Sequence, residues 1–77
     1  MYLSCSKLMH HYQLTVREAA IASKLCEGLS IEEIAAQDGV KPATVRSQLK
    51  SIFHKTATAR QGELIVSLLK GPAATDD

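Results

Sequence analysis

The sequence predicts an all-α domain built from four helices, and three observations favour this class. Aromatic residues make up only 4% of the 77 residues, whereas apolar residues make up 45%. The core must therefore come from Leu, Ile, Val and Ala, which suits packed helices better than sheets. Apolar residues recur at intervals of three and four along much of the chain, and capping signals divide it into segments of helical length. A chain this short has room for one domain with one small core.

Two capping boxes begin the first two predicted helices. Thr15 followed by Glu18, and Ser30 followed by Glu33, have the spacing at which side chain and backbone satisfy each other's hydrogen bonds. The first of these helices should end at Gly28, since glycine tolerates the left-handed conformation that ends many helices. The second is shorter and ends near Gln37.

A short turn separates the second and third helices. The turn is formed by residues 38–41, with sequence DGVK, and Pro42 then opens a helix that ends near Lys55. So short a connection suits two helices that cross steeply, as in a helix-turn-helix. The fourth helix is predicted over residues 62–70, with sequence GELIVSLLK.

At the two ends of the chain, the apolar residues show no clear periodicity. We interpret residues 1–13 as a lead-in, which is either a linker from an upstream domain or a short extra N-terminal helix packed on the domain. Residues 14–70 form the predicted domain. Residues 71–77 are predicted to be a polar C-terminal tail that begins with a glycine stop signal.

The charge is distributed unevenly, although the net charge is only +1. Residues 41–60 contain five bases and no acid, so this segment carries +5, and the remainder carries −4. An asymmetry of this kind indicates a local surface that faces a polyanion.

The third predicted helix has an apolar arc and a basic arc. Arg46 and Lys50 lie four residues apart on the basic arc, where small neighbours keep the helix slim enough for the major groove of DNA. Charged helix faces are commonly just solvated, but the short turn, the caps and the acid-free segment together favour DNA binding. The apolar arc consists of Val45, Leu49, Ile52 and Phe53, and the basic arc of Ala43, Arg46, Ser47, Lys50 and His54.

Composition argues against several other classes. Cys5 and Cys26 lack a secretory signal segment, so we expect reduced thiols and a cytoplasmic location. These cysteines with His10 and His11 do not have the paired spacing of a zinc site, and no apolar run is long enough to cross a bilayer. No nucleophile–base pair, metal set or phosphate loop can be assembled, so we expect neither an enzyme nor a cofactor.

A set of motifs in residues 14–69 resembles one known family. These motifs are Leu14-Thr15, Arg17-Glu18, Gly28-Leu29-Ser30, Glu33-Ile34-Ala35, Val40, Thr44-Val45-Arg46, Leu49, Ile52, Lys55 and Glu63-Leu64. The segment is similar to the LuxR-type (GerE-like) helix-turn-helix domain of bacterial transcription regulators. The resemblance implies a four-helix fold whose third helix lies in the major groove.

The resemblance also assigns roles to individual residues. It implies that base edges are contacted by Arg46, Ser47 and Lys50. It implies phosphate contacts by Thr15, Ser30, Thr44, Gln48 and Lys55, to which Lys41 adds a further candidate. It implies a two-fold dimer contact through the last helix, which here would use Leu64, Ile65, Leu68 and Leu69.

Five positions depart from the usual pattern of that family. Lys41 replaces a serine that caps the third helix, and Gln48 replaces a common histidine. Ile31 and Glu32 replace an Asn-Lys pair in the second helix, and Ala57 replaces a frequent glycine. These departures bear on the caps, the phosphate contacts and the turn before the last helix.

The leading functional hypothesis is a sequence-specific regulator that binds double-stranded DNA, or the output domain of such a regulator. Two copies would read half-sites about one helical turn apart. Its partners would be DNA, a second copy and RNA polymerase, with no membrane and no small-molecule ligand. One alternative is a promoter reader like sigma-factor region 4. Another is a protein-interaction module that pairs helix to helix without DNA.

Overall fold

The computed structural model of the protein describes residues 2–71 and 74–75, and the side chains of residues 4–71. The prediction of an all-α fold is confirmed, because five helices form the body of the described chain. Two strands of two residues each pair in antiparallel fashion near its ends. In chain order the elements are β1 (Tyr2–Leu3), α1 (Cys5–Tyr12), α2 (Val16–Cys26), α3 (Ile31–Asp38), α4 (Pro42–Thr56), α5 (Gln61–Lys70) and β2 (Ala74–Thr75).

The extra N-terminal helix that the sequence offered as one alternative is present as α1. The Ser4 side chain caps it by accepting a hydrogen bond from the Lys7 backbone N–H at 3.3 Å, and Gln13 ends it in the left-handed conformation at φ 60°. Leu8 is fully buried in the common core. Residues 5–12 therefore pack on the domain. Of the predicted tail, residues 72, 73, 76 and 77 lie outside the described residues.

Both predicted capping boxes are formed. The Thr15 hydroxyl accepts from the Glu18 N–H at 3.1 Å, and the Glu18 carboxylate accepts from the Thr15 N–H at 2.9 Å. The corresponding distances at Ser30 and Glu33 are 3.1 and 2.9 Å. Each box satisfies orphan backbone donors at a helix start, and together they fix where α2 and α3 begin.

The turn between α3 and α4 is three residues long. Gly39 ends α3 with φ 67°, a left-handed conformation that glycine adopts without steric cost. The Val40 N–H donates to the Ala35 carbonyl at 3.0 Å, which closes the end of α3. Pro42 is the first residue of α4, and Lys41 precedes it as an N-cap without a side-chain hydrogen bond. The predicted helix-turn-helix is therefore present, with α3 one residue longer than expected.

Helix α2 lies at the centre of the domain and packs against each of the other four helices. Among the described residues, the buried apolar core is aliphatic, as the composition predicted, while half-buried Tyr12 and Phe53 pack against it. Its members are Leu8, Leu14, Ala19, Ile21, Ala22, Leu25, Ile34, Ala35, Val45, Leu49, Ile52, Leu64 and Leu68.

No helix among the described residues has the length and apolar content needed to span a membrane.

Candidate nucleic-acid interface

The basic arc of α4 is exposed, and its apolar arc is buried apart from Phe53, which is half-buried. Val45 and Ile52 are fully buried and fix the rotation of the helix. The opposite arc therefore faces solvent. An open depression on this arc is lined by Ala43, Arg46, Ser47 and Lys50. The three residues expected to contact bases are thus brought together on one uncovered surface.

Arg46 forms an ion pair across the helix-turn-helix. Its Nη2 atom lies 3.1 Å from Oε2 of Glu32 on α3. The two side chains are 57% and 65% exposed. Ion pairs in water at this exposure contribute about 0–1 kcal/mol, so the guanidinium is held only weakly and stays accessible to a ligand.

Lys55 forms an ion pair with a buried carboxylate of its own domain. Its Nζ atom lies 2.7 Å from Oε1 of Glu18, whose side chain is only 8% exposed. Burial by itself would raise the pKa of Glu18, but hydrogen bonds from Lys55, Ser51 and the Thr15 backbone lower that pKa to about 2. The ammonium expected at a phosphate thus already has an internal anionic partner.

The remaining candidates for phosphate contact fall into two groups. Thr15, Lys41 and Thr44 are exposed and Ser30 is half-buried, and all four lie at helix N-termini, where the helix dipole favours anions. The capping hydroxyls of Thr15 and Ser30 accept from the backbone and keep an O–H to donate. Gln48 differs, because its Oε1 atom is buried without a hydrogen-bond partner in the described part of the chain.

Asp38 at the end of α3 joins that helix to α2, a pairing that was not predicted from the sequence. The Asp38 carboxylate lies 2.9 Å from Lys24 Nζ and 3.1 Å from Arg17 Nη1. The hydrogen bond from Lys24, with the nearby Arg17, lowers the pKa of Asp38 despite its partial desolvation. The partners are 14 and 21 residues away in sequence, so only the packing of α2 on α3 reveals the pairing.

The four residues expected at a dimer contact differ in how deeply they are buried. Leu64 and Leu68 are fully buried in their own monomer, because the apolar arc of α5 packs on α2. They hold the monomer together and offer no surface to a second copy. Ile65 and Leu69 are half-buried, while Val66, which the sequence analysis did not select, is 52% exposed. The large apolar side chains that α5 leaves accessible are therefore these three.

Two helices joined by a three-residue turn, with the second exposing a basic arc, define a helix-turn-helix domain. Comparison with known proteins gives the family. Residues 12–68 match the family GerE, described as bacterial regulatory proteins of the luxR family. The chain belongs to this family of DNA-binding transcription regulators, which confirms the resemblance in the sequence.

Two curated relatives carry the same name. The chain is 34% identical over 58 residues to the transcriptional regulatory protein UhpA of Escherichia coli (strain K12), and equally to UhpA of Salmonella typhimurium. The matched segment covers 75% of this chain and 30% of each relative, so the chain corresponds to less than a third of those proteins. No solved structure matched the chain.

Proposed function

We propose that this domain binds double-stranded DNA sequence-specifically, with α4 in the major groove. The observation that supports this most directly is the exposed depression lined by Arg46, Ser47 and Lys50. The groove of B-DNA admits one α-helix, and Arg or Lys bound to guanine is the commonest specific contact there. Ser47 between the two long bases leaves room for the helix to approach the base edges.

Phosphates position the domain on the duplex in this proposal. Lys41 and Thr44 lie at the N-terminus of α4, and Thr15 and Ser30 cap α2 and α3. Helix N-termini and hydroxyls are common phosphate ligands, and such contacts fix register without reading sequence. Lys55 acts here mainly within the fold, because Glu18 already neutralises it.

A two-fold dimer completes the proposed regulator. Two copies that meet through α5 would place their α4 helices in successive turns of the major groove, about 34 Å apart. The name of the UhpA relatives supports a role in transcription. We place that role in the bacterial cytoplasm, with RNA polymerase as a further proposed partner. The chain would serve as a regulator or as the output domain of one.

The test is binding to duplexes selected from a randomised pool, followed by fluorescence anisotropy from 50 to 200 mM salt. Affinity should fall steeply with salt, because phosphate binding releases counterions. Lys50→Ala should lose about 1–3 kcal/mol on the selected duplex. Lys7→Ala is the matched control, because this exposed lysine lies on α1, outside the proposed DNA and dimer contacts, and should change affinity little.

Two outcomes contradict the proposal. One is binding that does not respond to salt. The other is equal affinity of the wild type, Lys50→Ala and Arg46→Ala for the selected duplex. If no duplex is bound at all, the protein-interaction alternative is favoured.

A further inference from the structure

Glu32 places a carboxylate beside an otherwise acid-free surface. Residues 41–60 contain no Asp or Glu, yet Oε2 of Glu32 accepts a hydrogen bond from Nη2 of Arg46 at 3.1 Å. Glu32 lies in the first turn of α3, so the pair spans the helix-turn-helix. Among the described side chains, it is the acid that contacts the basic arc of α4.

The fold does not need this ion pair. Both side chains are more than half exposed, and pairs of this kind add little stability. Helices α3 and α4 are held together by buried Ile34, Ala35 and Val45. On a surface that binds DNA, an additional carboxylate lowers affinity for every duplex, because it repels phosphates.

We propose that Glu32 is a specificity-determining residue that acts through Arg46, an inference that rests on the proposed function. A guanidinium has five N–H donors in a planar fork, and the Glu32 pair uses one nitrogen. Arg46 can therefore bind guanine O6 and N7 while it keeps Glu32 as a partner. A phosphate drawn to Arg46 would instead lie beside the carboxylate and be repelled.

Glu32 is thus a positioning residue with opposite effects on two kinds of contact. It orients the guanidinium for a base edge, and it penalises the contact with phosphate that any sequence offers. Compared with a domain that lacks the Glu32 carboxylate, the wild type should bind random DNA more weakly and should show a stronger preference at one base pair.

The test compares Glu32→Gln with the wild type on a random-sequence duplex and on the duplex that the wild type selects. Glutamine keeps the size of the side chain and removes its charge. The variant should bind the random duplex about two- to fivefold more tightly, since an exposed pair is worth up to about 1 kcal/mol. On the selected duplex, the loss of the oriented guanidinium should offset the lost repulsion, so that affinity there stays the same or falls. The affinity ratio between selected and random duplex should therefore fall by at least this factor.

Two controls separate this role from a general charge effect. Glu27→Gln removes one charge at the exposed C-cap of α2, where no ion pair is present among the described side chains, and should leave the ratio unchanged. In an Arg46→Ala background, Glu32→Gln should no longer change the ratio. A circular dichroism spectrum establishes that each variant is folded.

The inference is overturned if Glu32→Gln keeps the wild-type ratio, or if its effect on the ratio persists without Arg46. A wild type that binds no duplex overturns the proposed function instead. The two failures are distinguishable, because only the second is visible before any residue is changed.

Discussion

The Nζ atom of Lys55 lies 2.7 Å from Oε1 of Glu18, and this pair fastens the end of α4 to the start of α2. The same carboxylate oxygen accepts from the Thr15 N–H at 2.9 Å, which is half of the α2 capping box. One buried anion therefore caps one helix and holds another. The ion pair adds to the buried contacts of Val45 and Ile52, which fix the rotation of the proposed recognition helix.

Lys55→Met should destabilise the domain by about 2 kcal/mol. The change leaves the carboxylate of Glu18, whose side chain is 8% exposed, without its cationic partner. Urea unfolding followed by circular dichroism measures the loss. Lys50→Met is the matched control, because Lys50 is exposed on the same helix and should change stability little.

A double variant tests whether the loss comes from the stranded charge. Glutamine also serves in a capping box, so Glu18→Gln keeps the cap and removes the charge. Glu18→Gln with Lys55→Met should be more stable than Lys55→Met alone. Equal stability of these two proteins would mean that Lys55 contributes through packing of its aliphatic stem.

Stability should fall in acid through the titration of Glu18. The folded pKa of this group is about 2, against an ordinary value of 4.5. Between these values the unfolded chain binds more protons than the folded one, so the free energy of unfolding decreases as the pH falls through that window. Urea midpoints measured from pH 6 to pH 2.5 should fall less steeply for Glu18→Gln than for the wild type. Parallel curves would contradict this, while Asp38, whose pKa is also lowered, leaves some slope in both proteins.

Local sequence signals were sufficient for most of the fold. The capping boxes at Thr15 and Ser30, the glycine turn at Gly39 and Pro42 each act within a few residues, so each could be read directly from the chain. The exposed face of α4 followed from helical periodicity for the same reason. Helix α1 was predicted only as one of two alternatives for residues 1–13. Its single fully buried residue, Leu8, produces no helical periodicity in the sequence.

Pairings between distant residues could not be predicted. The Lys55–Glu18 pair joins residues 37 apart in sequence. From the sequence, Glu18 was therefore predicted only as a capping acid and Lys55 only as a phosphate ligand. Periodicity likewise identified the apolar positions of α5 without telling which of them face the monomer's own core. Leu64 and Leu68 do so, and Val66 lies outside. Such assignments depend on how α2 and α5 pack.

Ala57→Gly should stabilise the domain. Ala57 ends α4 with φ 57°, a left-handed conformation that costs an L-residue with a Cβ about 1 kcal/mol. Glycine removes this strain but gains entropy in the unfolded chain, so the net gain is about 0.5 kcal/mol, or roughly 2–4 °C in Tm. Calorimetry measures the shift. Ala59→Gly is the control, because Ala59 is exposed without a positive φ and should not gain stability.

Val66→Lys should weaken the proposed dimer while the monomer stays folded. Val66 is 52% exposed on α5, so a lysine there keeps the core intact and places a charge in the contact with the second copy. Sedimentation equilibrium should give a lower association constant, and affinity for a two-half-site duplex should fall with it. For the association measurement, Val16→Lys is the control, because Val16 is 70% exposed at the start of α2 and lies outside that contact. A wild type that stays monomeric on the duplex, or equal association by both variants, would contradict a dimer through α5.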